Sequence, residues 1–149
     1  MGERRLLSAL FGLFCCLAVP GSGWAAGADV ARSVVTTGIE GHEPVDRLDT
    51  VPLTLGEVYY FTELRGMEGE RVVHRWEYRG EMMAEVAFDV GGDRWRVWSS
   101  KRLVPKWRGE WRALLLDAGG AVLAEERFRY AAVGEDRDPG GGHVAGGDK

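Results

Sequence analysis

Residues 71–90 read RVVHRWEYRGEMMAEVAFDV, and the fold is decided in this stretch. Val72, His74, Trp76 and Tyr78 alternate with Arg71, Arg75, Glu77 and Arg79. That is the period-two pattern of a strand with one face on a core and the other in water. Arg79-Gly80 is a short turn, and the pattern then repeats. Met82, Ala84, Val86, Phe88 and Val90 share one side, and Glu81, Glu85 and Asp89 the other.

Working outward, turn signals at Gly91-Gly92, Arg108-Gly109 and Ala118-Gly119-Gly120 delimit strands over 93–100, 110–117 and 121–130. Two more, 31–39 and 57–64, precede the pair. In the last strand Val122 and Phe128 share a parity that Leu123 lacks, which predicts a bulge or bend. Seven short strands without a helix, joined mainly by hairpin-length turns, predict an all-β fold. The expected architecture is a single antiparallel β-sandwich, immunoglobulin-like, over 31–132.

The ends read differently. Arg4 and Arg5, the apolar run 6–19, then Pro20, Gly21-Ser22-Gly23 and Ala25, Ala26 and Ala28 have the three-part layout of a signal peptide over 1–28, cleaved after Ala28 or Ala25. As a helix the apolar run would reach roughly 21 Å, short of the roughly 30 Å hydrocarbon core, so no transmembrane segment is expected in the mature chain. Phe14 before Cys15 argues against a lipid-modified start. Residues 133–149, rich in glycine and charge, predict a disordered tail, and His143 stands there alone. The expected location is outside the cytoplasm, in the periplasm, with secretion as the alternative.

Cys15 and Cys16 both lie in the leader, so a chain beginning at Asp29 has no cysteine. Disulfides, thiolate metal sites and cysteine nucleophiles are thereby excluded. The 149 residues hold 19 Lys plus Arg and 23 Asp plus Glu, a net charge of −4. Loss of Arg4, Arg5 and Glu3 takes these to 17 and 22, a net of −5. A mildly acidic exported chain is not a nucleic-acid binder at the level of the whole molecule.

The order of motifs resembles a bacterial family catalogued as a domain of unknown function, number 2914. The resemblance rests on His74-x-Trp76-x-Tyr78, Arg94-Trp95-Arg96-x-Trp98-Ser99-Ser100-Lys101, Gly109-x-Trp111, Asp117-x-x-Gly120-x-x-Leu123 and Phe128. Glu43-Pro44 and Tyr59-Tyr60-Phe61-Thr62 add to it, so that it spans 34–130. It implies an all-β envelope domain and brings no activity, cofactor or catalytic residue with it.

Three places invite chemistry. His74 lies on an apolar strand face, where an imidazole must find a partner or stay neutral, and it forms a candidate polar core site with Ser99. A Ser–His hydrolase is the less favoured reading, because neither Ser99 nor Ser100 sits in a Gly-x-Ser-x-Gly elbow. Residues 40–55 carry His42, Glu43, Asp46 and Asp49, but in no calcium-loop spacing. They read as a solvated acidic connection, and no metal or cofactor is expected.

The strongest signal is 94–112, with seven basic residues against Glu110 alone and four interleaved tryptophans. Alternation puts Trp95 and Val97 on one face, and Arg94, Arg96 and Trp98 on the other. Trp95 and Trp111 are expected in the core. Arg96, Trp98, Lys101, Arg102, Trp107 and Arg108 are the candidate ligand-binding residues, since guanidinium forks and indole faces suit an anionic glycan, a lipid headgroup or an acidic protein. The alternative is packing alone, with the arginines paired to Glu81, Glu85 or Asp89 on a neighbouring strand. The function expected is a non-catalytic binding or accessory module of the bacterial envelope; the alternative is a protein-interaction module docking by a strand edge.

Overall fold

A computed structural model describes residues 29–134. The leader read over 1–28 lies outside these residues, as does the tail beyond Gly134. All seven expected strands form. β1 (Asp29–Thr36) is followed by three short strands, β2 (Ile39–Glu40), β3 (Glu43–Pro44) and β4 (Thr50–Pro52). Then come β5 (Glu57–Arg65), β6 (Arg71–Tyr78), β7 (Glu81–Asp89), β8 (Arg94–Arg102), β9 (Gly109–Asp117) and β10 (Val122–Ala131). A single 3-10 turn, Pro105–Trp107, joins β8 to β9.

The strands form a three-stranded sheet in the order β1-β5-β8 and a five-stranded sheet in the order β4-β10-β9-β6-β7, with β2 and β3 as a separate ribbon. Every pairing is antiparallel except that of β4 with β10. The two larger sheets lie face to face as a sandwich. Tyr60 and Thr62 of β5 and Ser99 of β8 meet His74 and Trp76 of β6. An immunoglobulin constant domain places its fourth strand beside the fifth; here the fourth long strand, β7, pairs with β6 instead. The sheet ending in β8 is therefore one strand shorter on that flank.

The core follows the predicted alternation. Val72, His74 and Trp76 are fully buried on β6, and Trp76, Trp111 and Phe128 pack ring against ring, the last two stacked at 14° with centroids 6.1 Å apart. The bulge expected in the last strand falls between Val122 and Ala124.

Three details depart from the sequence reading. A register shift opposite Trp76/Glu77 lets Met83, not Met82, pack on the core, and Met82 is 59% exposed. Residues 40–55 are not simply a solvated connection. Val51 is fully buried, and Leu48, Leu53 and Leu55 pack on the core. Trp95 has the expected inward parity but is 37% exposed, because it sits at the strand end against Gly91 and Gly92.

Candidate functional site

β5 is buried on both faces, which its sequence accommodates by carrying apolar side chains at odd and even positions alike. Val58, Tyr60, Thr62 and Leu64 face the sandwich core. Phe61 and Glu63 face outward, yet Phe61 is fully buried and Glu63 is 1% exposed. The cover comes from neighbouring strands and from the β2–β3 ribbon, which turns back over this face.

The ribbon's turn is made by Gly41 and His42, both at positive φ (56° and 64°), the geometry of a tight two-residue hairpin loop. Asp46 anchors the ribbon's base. Its carboxylate accepts hydrogen bonds from the Thr36 hydroxyl (2.7 Å), the Thr37 amide (2.7 Å) and the Thr37 hydroxyl (2.8 Å). Burial pushes that carboxyl up, but the three donors outweigh it and hold it below the usual range.

Two carboxylates organise four arginines on this face. Glu63 accepts hydrogen bonds from Arg94 (Nε to Oε1, 2.7 Å), Arg32 (Nη2 to Oε2, 2.5 Å) and Arg65 (Nη2 to Oε1, 3.3 Å). The Arg94 bonds foremost, with Arg32 and Arg65, overcome desolvation and hold Glu63 at about 2. Glu43, at the end of the ribbon, bridges Arg32 (2.6 Å) and Arg96 (2.5 Å). Thus Arg94 and Arg96 pair with Glu63 and Glu43, not with the acidic residues of β7. Glu85 and Asp89 pair with Arg75 and Arg71 on β6.

Beyond the arginines the same face opens into a pocket of about 380 Å³ lined by Ile39, Gly41, His42, Tyr59 and Trp98. The His42 and Trp98 rings meet edge to face, centroids 5.6 Å apart. Arg96 borders it, donating to the His42 carbonyl oxygen (3.4 Å) as well as to Glu43. Arg102 lies farther along the same face of β8, exposed. Aromatic rings beside guanidinium groups offer stacking surface and charge-assisted donors together.

The sequence cluster 94–112 divides in space. Arg96, Trp98 and Arg102 belong to the outer face of β8. Lys101 lies on the opposite side of that strand and, with Lys106, flanks the Trp107 ring at 5.4 and 5.3 Å. Trp107 is half-buried against the core and meets Trp111 edge to face, while its carbonyl accepts the Trp111 indole N–H (2.9 Å). Arg108 is exposed, and its carbonyl accepts the Tyr78 hydroxyl. The sequence names Tyr59 only within the Tyr59–Thr62 motif and offers His42 only as a metal ligand, so neither is a candidate binding residue there. Strand parity identifies Tyr59 as outward-facing, but nothing local brings His42 to Trp98.

His74 and Ser99 do come together, as a sealed polar site. His74 Nδ1 is 3.0 Å from Ser99 Oγ and Nε2 is 3.0 Å from Thr62 Oγ1, while the Trp76 indole N–H donates to Ser99 Oγ at 3.1 Å. The imidazole is fully buried, and desolvation holds it at about 3, so it is neutral across the physiological range. Among the described residues, no three His, Cys, Asp or Glu side chains converge to hold a metal ion, and no helix is long and apolar enough to cross a membrane.

A comparison with curated proteins finds no match. Residues 69–130, running from just before β6 to the penultimate residue of β10, match the model of a family described as Protein of unknown function (DUF2914). The His74, Arg94–Lys101, Trp111, Asp117 and Phe128 motifs all fall within that match, whereas Glu43-Pro44 and Tyr59–Thr62 fall before it. Over residues 69–130 the chain is similar to the DUF2914 family.

Proposed function

We propose that this chain is a non-catalytic binding or accessory module of the bacterial envelope, which takes an anionic or glycan-like ligand on the outer face of the β1-β5-β8 sheet. The observation that carries this reading is the pocket between the β2–β3 ribbon and β8, where Tyr59, Trp98 and His42 stand beside Arg96. A sugar ring stacks on indole and phenol faces, and its acidic substituents find guanidinium donors alongside. A hydrolase built on His74 is disfavoured because that imidazole is sealed between the sheets, with both nitrogens occupied by hydroxyls. Export to the periplasm, or beyond, belongs to the same proposal and rests on the leader-like sequence of residues 1–28.

Intrinsic tryptophan fluorescence tests it. The protein is titrated with polygalacturonate, peptidoglycan fragments and anionic lipid vesicles at low and high salt. A saturable, salt-sensitive change that is lost in Tyr59→Ala and in Arg96→Glu, with the thermal midpoint nearly kept in Tyr59→Ala, supports the reading. Equal binding by both variants, or no response across the panel, overturns it.

A further inference from the structure

β8 ends at Arg102, and residues 103–108 carry the chain through the 3-10 turn to β9. β6 ends at Tyr78, and Arg79-Gly80 turns it into β7. Tyr78 is register-paired with Trp111 and its hydroxyl donates to the Arg108 carbonyl (2.9 Å), so the two turns lie side by side at one end of the sandwich.

Three cations stand on aromatic rings there. Lys101 and Lys106 flank the Trp107 indole, Nζ to ring centre 5.4 and 5.3 Å, and the Arg79 guanidinium lies 5.2 Å from the centre of the Tyr78 ring. Trp107 meets Trp111 and Trp111 meets Tyr78, so the rings form one continuous support. Ring contact holds a cation in place without neutralising it. Most arginines of the described residues reach a carboxylate, as Arg71 reaches Asp89 and Arg112 reaches Glu125. Among the described residues none of Arg79, Lys101 and Lys106 has a carboxylate at ion-pair distance.

Charge is divided along the strands. Residues 78–81 and 101–110 hold five basic residues against Glu81 and Glu110, and Glu57 stands only opposite Arg102. At the far end Asp29, Glu68, Glu70 and Asp93 are exposed and outside the ion pairs of the described residues. Such a dipole turns the 103–108 end toward any anionic surface.

That end is also apolar in part. Val104, just before the 3-10 turn, is 37% exposed, and Val133, just past the end of β10 that pairs with Gly109, is 86% exposed. The Trp107 indole N–H has no acceptor among the described residues, and no buried side-chain nitrogen lacks one, so it opens to solvent.

We propose that this end of the sandwich docks on a bilayer surface carrying anionic headgroups. Arg79, Lys101 and Lys106 meet the phosphates, the Trp107 N–H lies at headgroup level, and Val104 reaches the acyl boundary. The valines select a bilayer over a soluble polyanion: they gain nothing from a hydrated polysaccharide but leave water at the acyl boundary. The surface is separate from the Tyr59–Trp98 pocket, since Lys101 lies on the opposite side of β8 from Trp98.

Flotation with lipid vesicles tests this docking. The chain from Asp29 onward contains both sheets and the described core, and its use removes the apolar run 6–19 as a source of lipid binding. It is expected to bind vesicles of phosphatidylglycerol mixed with phosphatidylcholine, to leave them at high salt, and to ignore phosphatidylcholine alone. Lys106→Gln should weaken partitioning about fivefold and Lys106→Glu about thirtyfold. Val104→Ser should weaken it about threefold, each variant being checked for folding by circular dichroism. Arg71→Glu, at the acidic end, should leave binding nearly unchanged. So should Tyr59→Ala, which keeps a failure here distinct from a failure of the pocket reading. Absence of binding at low salt overturns the proposal, as does wild-type binding by Lys106→Glu or an equal loss in Arg71→Glu. A loss in Lys106→Glu with none in Val104→Ser overturns it in favour of a soluble polyanion.

Discussion

Ser99 Oγ lies 3.0 Å from His74 Nδ1 and 3.1 Å from the Trp76 indole nitrogen, so one hydroxyl from β8 satisfies two side chains of β6 across the sandwich. With Thr62 on Nε2, the His74 ring joins its own sheet to both β5 and β8 of the other. All of these atoms are buried, so an unmade bond is not replaced by water.

Ser99→Ala should therefore cost about 1–3 kcal/mol, because it orphans the Trp76 N–H and removes the Nδ1 partner of His74 at the same time. Urea denaturation followed by tryptophan emission measures this. A change below about 0.5 kcal/mol would show that the buried hydroxyl contributes little net stabilisation.

His74 predicts an acid-sensitive stability. The unfolded chain takes a proton on this imidazole near 6.5, whereas the folded chain resists until about 3. Between these values the unfolded state binds more protons, so stability rises with pH and falls on acidification, at up to about 1.4 kcal/mol per pH unit. His74→Leu should flatten the part of the profile between pH 6.5 and 4.5. An unchanged slope in that variant would assign the acid sensitivity to other groups.

Glu63 acts at lower pH. With its carboxyl lowered from 4.5 to about 2, chiefly by Arg94, its contribution is complete above 4.5 and disappears as pH falls through 2. Glu63→Gln should destabilise at neutral pH by about 2 kcal/mol, less than the 3–5 kcal/mol of a wholly buried pair because the arginines keep contact with water. The loss should shrink on acidification below 4. A pH-independent loss would locate the effect in packing.

His42 is at positive φ in the ribbon turn. His42→Val should cost about 1–2 kcal/mol, since a β-branched side chain is strained there, while His42→Asn should be tolerated by the backbone. Both remove the ring that meets Trp98, so both should alter Trp98 emission, but only the valine variant should lower the thermal midpoint substantially.

Gly91 is constrained by space alone. A Cβ at this position would stand 2.9 Å from the Trp95 ring, so Gly91→Ala must displace the indole. A loss of about 1 kcal/mol with a red shift in emission is expected. Trp95→Phe in the same background should recover much of the stability; no recovery would mean that the backbone, not the ring, is what yields.

The strands themselves were legible because alternation is a local property: successive Cβ atoms point to opposite faces wherever a chain is extended. The runs 71–79 and 81–90 display it on their own, and the five other expected strands complete the seven that the structure reproduces. The parity of His74, Val97 and Ser99 followed from the same rule, as did the bulge near Leu123. Where a bulge resets parity, as between Met82 and Met83, the rule failed without any local warning.

Parity names a face but not what lies opposite it, and there the sequence by itself stops. It determined an all-β chain, its strands and their faces, because those depend on neighbours one or two residues apart. Only the tertiary structure decided that Arg96 meets Glu43, 53 positions away, that Glu63 lies among three arginines, and that His42 reaches Trp98. It also separated Trp98 from Trp107, neighbours in one basic stretch, and left Trp95 exposed where its sheet ends. The order of strands within each sheet governs these encounters, and that order is set by which faces bury together, a balance summed over the whole chain and not written into any single segment.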